Sequence, residues 1–153
     1  MKETKIKLEH LIQEVKQFFT SSPLAEIGEK PSAEKWSKKE ILGHLIDSGI
    51  NNLQRFTEIP FESKPYLVRK YNQVELVRIN DYQNSDLNEI LQLFLAINQR
   101  ILRIIELQAV ETLDFPVTLH NKQEVNLRFL IEDYVNHMEH HLRQIKARNE
   151  GQY

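Results

Sequence analysis

The sequence predicts an all-α protein, a four-helix bundle with a short hairpin before the last helix. Three observations carry that prediction. Apolar residues recur at three- and four-residue spacing along four long stretches. Glycine and proline number only four and five in 153 residues, too few for the many turns of an all-β chain. Pro23 and Pro60 stand just beyond two of the stretches, where a proline ends a helix because it lacks an N–H and clashes with the preceding turn. A chain of this length buries roughly two-thirds of its unfolded surface. One domain over residues 1–153 is therefore expected, with no disulfide to staple it, since there is no Cys.

The first helix carries Leu8, Leu11, Ile12, Val15, Phe18 and Phe19 on one stripe and ends before Ser21-Ser22-Pro23. After a loop containing Gly28 and Pro31, Ser37 and Glu40 have the spacing of a capping box, in which each side chain satisfies a backbone N–H of the other. The second long helix starts there, and Ile41, Leu42, Leu45, Ile46, Ile50, Leu53 and Phe56 carry it to about Ile59. A short helix is expected over Gln73 to Ile79. Ser85 is expected to cap the third long helix, whose face runs through Leu87, Ile90, Leu91, Phe94, Ile97, Ile101, Ile104 and Ile105. Phe115 to Leu119, followed by the turn pair Asn121-Lys122, reads as one arm of a hairpin. Asn126 then caps the last helix, which runs from Leu127 to about Arg148 and turns Ile131, Tyr134, Val135, Met138, Leu142 and Ile145 inward.

Composition excludes several function classes. A net charge of −2 with no basic stripe argues against nucleic-acid binding, which needs a cationic face. The opening MKETKIKLEHL lacks the apolar run of an export signal, and no stretch of 18 apolar residues occurs. The reading is a cytoplasmic protein with no membrane or nucleic-acid partner. Without Cys, any metal must be held by His, Asp or Glu.

Six His are present, three of them in Asn136-His137-Met138-Glu139-His140-His141. At ~100° per residue, His137 and His141 lie about 40° apart on one stripe, the spacing that lets two imidazoles share an ion. His140 falls roughly 160° from the centre of the apolar arc and is assigned to solvent. An i, i+4 pair of His also arises by coincidence, so a third ligand is needed. His44 is the candidate, on the facing helix beside the apolar face, with Gly43 next to it leaving room. A lone His there is otherwise a satisfied core residue. His10 reads as a surface residue and His120 as a turn residue.

The stretch Trp36-Ser37-x-x-Glu40-Ile41-Leu42-Gly43-His44-Leu45-Ile46-Asp47-Ser48-x-x-Asn51-x-x-x-Arg55-Phe56, followed far downstream by Tyr134-Val135-x-His137-x-x-x-His141-x-x-x-Ile145, resembles the DinB-like superfamily and within it the YfiT branch. The resemblance covers nearly the whole chain and includes Lys64-Pro65-Tyr66 in the connection. It implies a four-helix bundle in a bacterial protein, with one divalent ion, Zn²⁺ or Ni²⁺, held by His44, His137 and His141. It also implies a homodimer and one of two activities on a small-molecule substrate. These are metal-dependent hydrolysis and the transfer of a low-molecular-weight thiol of the bacillithiol type. A non-catalytic metal-binding bundle is the third reading.

Three neutral imidazoles leave an ion its full charge and an open position, and either water or a thiol placed there would be activated. Asp47, one turn after His44, is the candidate for orienting that imidazole or for taking a proton. Glu40 and Asp133 stand one turn before His44 and His137 and are weaker candidates, since charged residues on helix shoulders usually face water. Arg55, three turns from His44 on nearly the same stripe, could hold a carboxylate or simply face solvent. Tyr66, Tyr71 and Tyr134 are read either as a pocket mouth or as packing.

Overall fold

The computed structural model describes the backbone of residues 1–150 and the side chains of residues 1–147. Four long helices build the bundle: α1 Lys2–Ser21, α3 Lys38–Glu58, α5 Leu87–Leu107 and α6 Leu127–Glu150, with short helices α2 Leu24–Gly28 and α4 Gln73–Ile79 in the connections. Helix α3 packs against α5 and α6, and α1 packs against the same two. Leu8, Ile41, Leu45, Phe94, Ile101, Ile131 and Met138, all fully buried, come from the four long helices and meet in one core. Helix α1 is already formed at Lys2, and among the described residues no helix is long and apolar enough to cross a membrane.

The starts of the helices follow side-chain chemistry. Ser37 Oγ accepts from the Glu40 N–H at 3.1 Å while the Glu40 carboxylate accepts from the Ser37 N–H at 2.8 Å, so the capping box forms as its spacing predicts. Asn126 Oδ1 accepts from Phe129 N–H at 2.9 Å and starts α6. The α5 cap differs from expectation by one residue. Asp86 Oδ1 accepts from Glu89 N–H at 2.9 Å, while Ser85 Oγ donates back to Asp81 C=O. Of two adjacent capping residues, the carboxylate holds the position facing the positive end of the helix.

The hairpin is present as β2 Pro116–Thr118 and β3 Glu124–Asn126, paired Val117 with Val125 across a turn in which Lys122 has φ 68°. The sheet has a third strand that local patterning did not show. Strand β1, Tyr66–Leu67, pairs in parallel with β2, Tyr66 opposite Val117. A 3-10 turn at Glu111–Asp114 precedes the hairpin. The small sheet matters for position. It ties the connection after α3 to the start of α6, where Leu127 N–H donates to Phe115 C=O at 3.2 Å. Residues 68–74 are thereby held across the seam between α3 and α6.

Candidate metal centre

His44 is buried in the middle of α3, and His137 and His141 lie half-buried one turn apart on α6. Their Nε2 atoms converge. His44 Nε2 stands 3.1 Å from His137 Nε2, which stands 3.1 Å from His141 Nε2, and the donor atoms of all three lie within 4.8 Å of one another. The rings meet edge to face, at 75° to 81°, which lets three planar groups approach one point. Trp36 lies against the His44 ring at 5.1 Å and 34°. The remaining histidines contribute no nitrogen to this cluster. His140 is exposed with its ring beside that of His141, His10 is exposed on α1, and His120 is exposed in the hairpin turn.

Burial pushes His44 down to about 3 and His137 to about 4, with the neighbouring imidazoles adding to the effect. His141 is lowered by burial as well, opposed by its contact with Gln144. All three rings are therefore neutral at neutral pH, the form that offers a lone pair. Gln144 Oε1 accepts from His141 Nδ1–H at 2.9 Å, which leaves the lone pair on Nε2, facing the other two. Lone pairs that close to one another need a proton or a cation between them. An ion bound tetrahedrally at about 2.0–2.1 Å sets its nitrogens about 3.3 Å apart. Two of the three separations, His44 to His137 and His137 to His141, are 3.1 Å and near that value.

Around His44 the polar accounting is incomplete in an informative way. Asp47 Oδ1 accepts from Tyr82 Oη at 2.7 Å and from Asn80 Nδ2 at 2.9 Å. Its Oδ2, and the Nδ1 of His44 one turn earlier, are both buried without a hydrogen-bond partner. Burial raises the Asp47 carboxyl while the two donors counter the shift. Gly43 makes room here, but for Tyr82 rather than for an ion: a Cβ on residue 43 would sit 2.1 Å from Tyr82 Cδ2. The Glu40 carboxylate is occupied by its cap and by Lys30 Nζ at 3.0 Å.

A cavity of about 800 Å³ opens beside His137. One wall is the α3 stripe Ser48, Asn52 and Arg55, the other is Leu130, Asp133 and His137 of α6, and residues 68–74 with the hairpin turn at His120 form the rim. Arg55 is half-buried, donating from Nη2 to Arg69 C=O at 2.9 Å and from Nη1 to Asn52 Oδ1 at 3.3 Å, with Tyr71 beneath its guanidinium at 5.7 Å. Burial raises the carboxyl of Asp133. Of the three tyrosines considered, Tyr71 lines the cavity. Tyr66 donates to Glu58 at 2.7 Å outside it, and Tyr134 belongs to the core, where its hydroxyl donates to Asn98 at 2.6 Å.

Sequence reasoning did not find Gln144, Tyr82, Asn80 or the rim position of His120. Gln144 was within reach, since i+3 from a ligand His on the same helix is where an orienting group stands. Tyr82 and Asn80 meet Asp47 only through the packing of α4 against α3.

The chain folds like YfiT from Bacillus subtilis, described as a probable metal-dependent hydrolase with an unusual four-helix bundle topology. The TM-score is 0.86 at 20% identity, over 98% of this chain and 87% of that one. It is also similar to the mycothiol-dependent maleylpyruvate isomerase, with a TM-score of 0.76 at 12% identity, over 94% of this chain and 60% of the isomerase. No curated protein sequence matches it. The sequence pattern of one family matches residues 7–145, nearly the full bundle with all three clustered histidines, and by that match the chain belongs to the DinB superfamily.

Proposed function

We propose that the protein is a metal-dependent hydrolase in which His44, His137 and His141 hold one divalent ion, Zn²⁺ or Ni²⁺. The observation that carries the proposal is the convergence of three neutral Nε2 atoms beside a cavity of about 800 Å³ that His137 lines. A divalent ion there supplies Lewis acidity at an open coordination position. The protein's own groups then have defined tasks. Gln144 fixes the His141 tautomer. Asp47, held by Tyr82 and Asn80 one turn after His44, keeps its second oxygen, Oδ2, without a partner and is the group beside His44 placed to hold a proton. Asp133 faces the cavity one turn before His137 and is placed to take a proton from what binds there.

A second reading, transfer of a low-molecular-weight thiol onto an electrophile, is favoured by the likeness to a mycothiol-dependent enzyme and by a cavity large enough for a drug-sized ligand. A paired assay on metal-loaded protein separates the two. A hydrolase turns over ester, amide or phosphate substrates with water alone and stops on chelation. A transferase consumes an electrophile such as monochlorobimane only when a thiol is supplied, and faster with metal than without. Silence in both assays indicates a non-catalytic metal-binding bundle. A cytoplasmic homodimer acting on a small molecule completes the proposal.

A further inference from the structure

The cavity beside His137 is electrostatically one-sided. Arg55, Arg69 and Lys70 line it, and among the described lining residues Asp133 is the single carboxylate. Arg69 and Lys70 are exposed, so water screens them, but Arg55 is half-buried. No carboxylate pairs with Arg55 among the described residues; its hydrogen bonds go to a backbone carbonyl and an amide oxygen. A guanidinium withdrawn from water without a counter-ion is costly, and the cost falls when an anion docks on it. Its setting is also built for docking. Asn52 Oδ1 and Arg69 C=O take two of its five N–H donors and Tyr71 supports its plane, which fixes the fork and leaves three donors free. Asn52 is itself anchored, donating from Nδ2 to Ser48 C=O at 2.9 Å.

The stripe that carries Arg55 is the one that begins at His44. His44, Ser48, Asn52 and Arg55 follow at three- and four-residue intervals, and at 1.5 Å per residue the backbone of Arg55 stands about 16 Å from that of His44. A ligand held at Arg55 therefore extends along Ser48 and Asn52 towards His137, rather than lying on the histidines themselves. We infer that the cavity binds a small molecule carrying a carboxylate, whose two oxygens take free N–H donors of Arg55 while its other end lies against His137. A planar carboxylate matches the fork that Arg55 keeps free. This names the substrate class of the proposed hydrolase and rests on that reading only for the chemistry at the far end.

Calorimetric titration tests it with glutarate as the probe and glutaramide as its uncharged counterpart of equal length, on protein stripped by chelation and on Zn²⁺-loaded protein. Glutarate is expected to bind both forms at least about tenfold more tightly than glutaramide. Arg55→Gln should reduce glutarate to the glutaramide level, Arg55→Lys should fall between, and Arg69→Gln with Lys70→Gln should change binding less than about twofold at 0.15 M salt. Circular dichroism checks the fold of each variant, and the two-probe comparison on the unaltered chain needs none. Equal binding of the two probes, glutarate binding only when Zn²⁺ is present, an equal loss in the Arg69 and Lys70 variant, or tighter binding of inorganic phosphate would each overturn the inference. Because the stripped protein is tested directly, failure of the hydrolase assay leaves this result standing, and the reverse also holds.

Discussion

Helices α3 and α5 are each 21 residues long and pack against one another, yet they bury different chemistry. Helix α5 buries Ile90, Leu91, Phe94, Ile97, Ile101, Leu102 and Ile105 with one polar residue, Asn98, which is satisfied by Phe94 C=O at 2.9 Å and Tyr134 Oη at 2.6 Å. Helix α3 buries Lys38, Glu40, His44, Asp47, Ser48 and Asn52. Apart from the tyrosines, every other buried polar side chain among the described residues lies on α3 or at its cap, Ser37. The unsatisfied atoms, His44 Nδ1 and Asp47 Oδ2, are there too. Polar burial without full pairing works against stability. Where one helix tolerates it and its neighbour does not, the tolerant helix is the one whose surface has a task besides packing.

The largest effect expected from that difference is on α5. Phe94 is fully buried, so Phe94→Ala should cost about 3–5 kcal/mol in urea unfolding, with the metal content per folded chain unchanged. A loss below about 1 kcal/mol would remove α5 from its structural role. Next in size is stabilisation by the ion. Excess Zn²⁺ at a hundred times its dissociation constant should raise unfolding free energy by about 2.7 kcal/mol in the unaltered chain and should do little in His137→Ala, as read by thermal melts with and without metal. Gly43→Ala tests the packing beneath the site. Its Cβ meets the Tyr82 ring, and such overpacking costs about 1–3 kcal/mol. Tyr82→Phe keeps the ring, removes only the hydroxyl that donates to Asp47, and should cost less by the same urea measurement. The smallest effect belongs to His140→Ala, which should shift stability by no more than about 0.5 kcal/mol, since the residue is exposed.

The helices of the bundle were legible because their signals are local. Ser37 and Glu40 stand three residues apart, the α5 face repeats without interruption, and Gln73–Ile79 appears over the span its pattern predicts. What escaped notice is short or distant. Helix α2 has five residues, too few to show a period, and β1 has two, paired with a strand some fifty residues later. Ser85 and Asp86 are both able to cap, and only the folded turn at Asp81 decides between them. At the site, the His137 and His141 pair is visible from helical spacing, and the meeting with His44 follows from placing two faces of a bundle together. The neighbours of Asp47 were not visible, because Asn80 and Tyr82 lie 33 and 35 residues away and reach it from another element.

If three histidines on two helices hold one ion, the metal content of purified chains must depend on those three residues. Elemental analysis should find about one divalent ion in the unaltered protein and in His140→Ala, and none in His137→Ala or His141→Ala. His44→Ala should remain folded by circular dichroism but bind Zn²⁺ far more weakly, because two ligands remain of three. Unchanged affinity in His44→Ala, or loss of metal from His140→Ala as complete as from His137→Ala, would contradict the account.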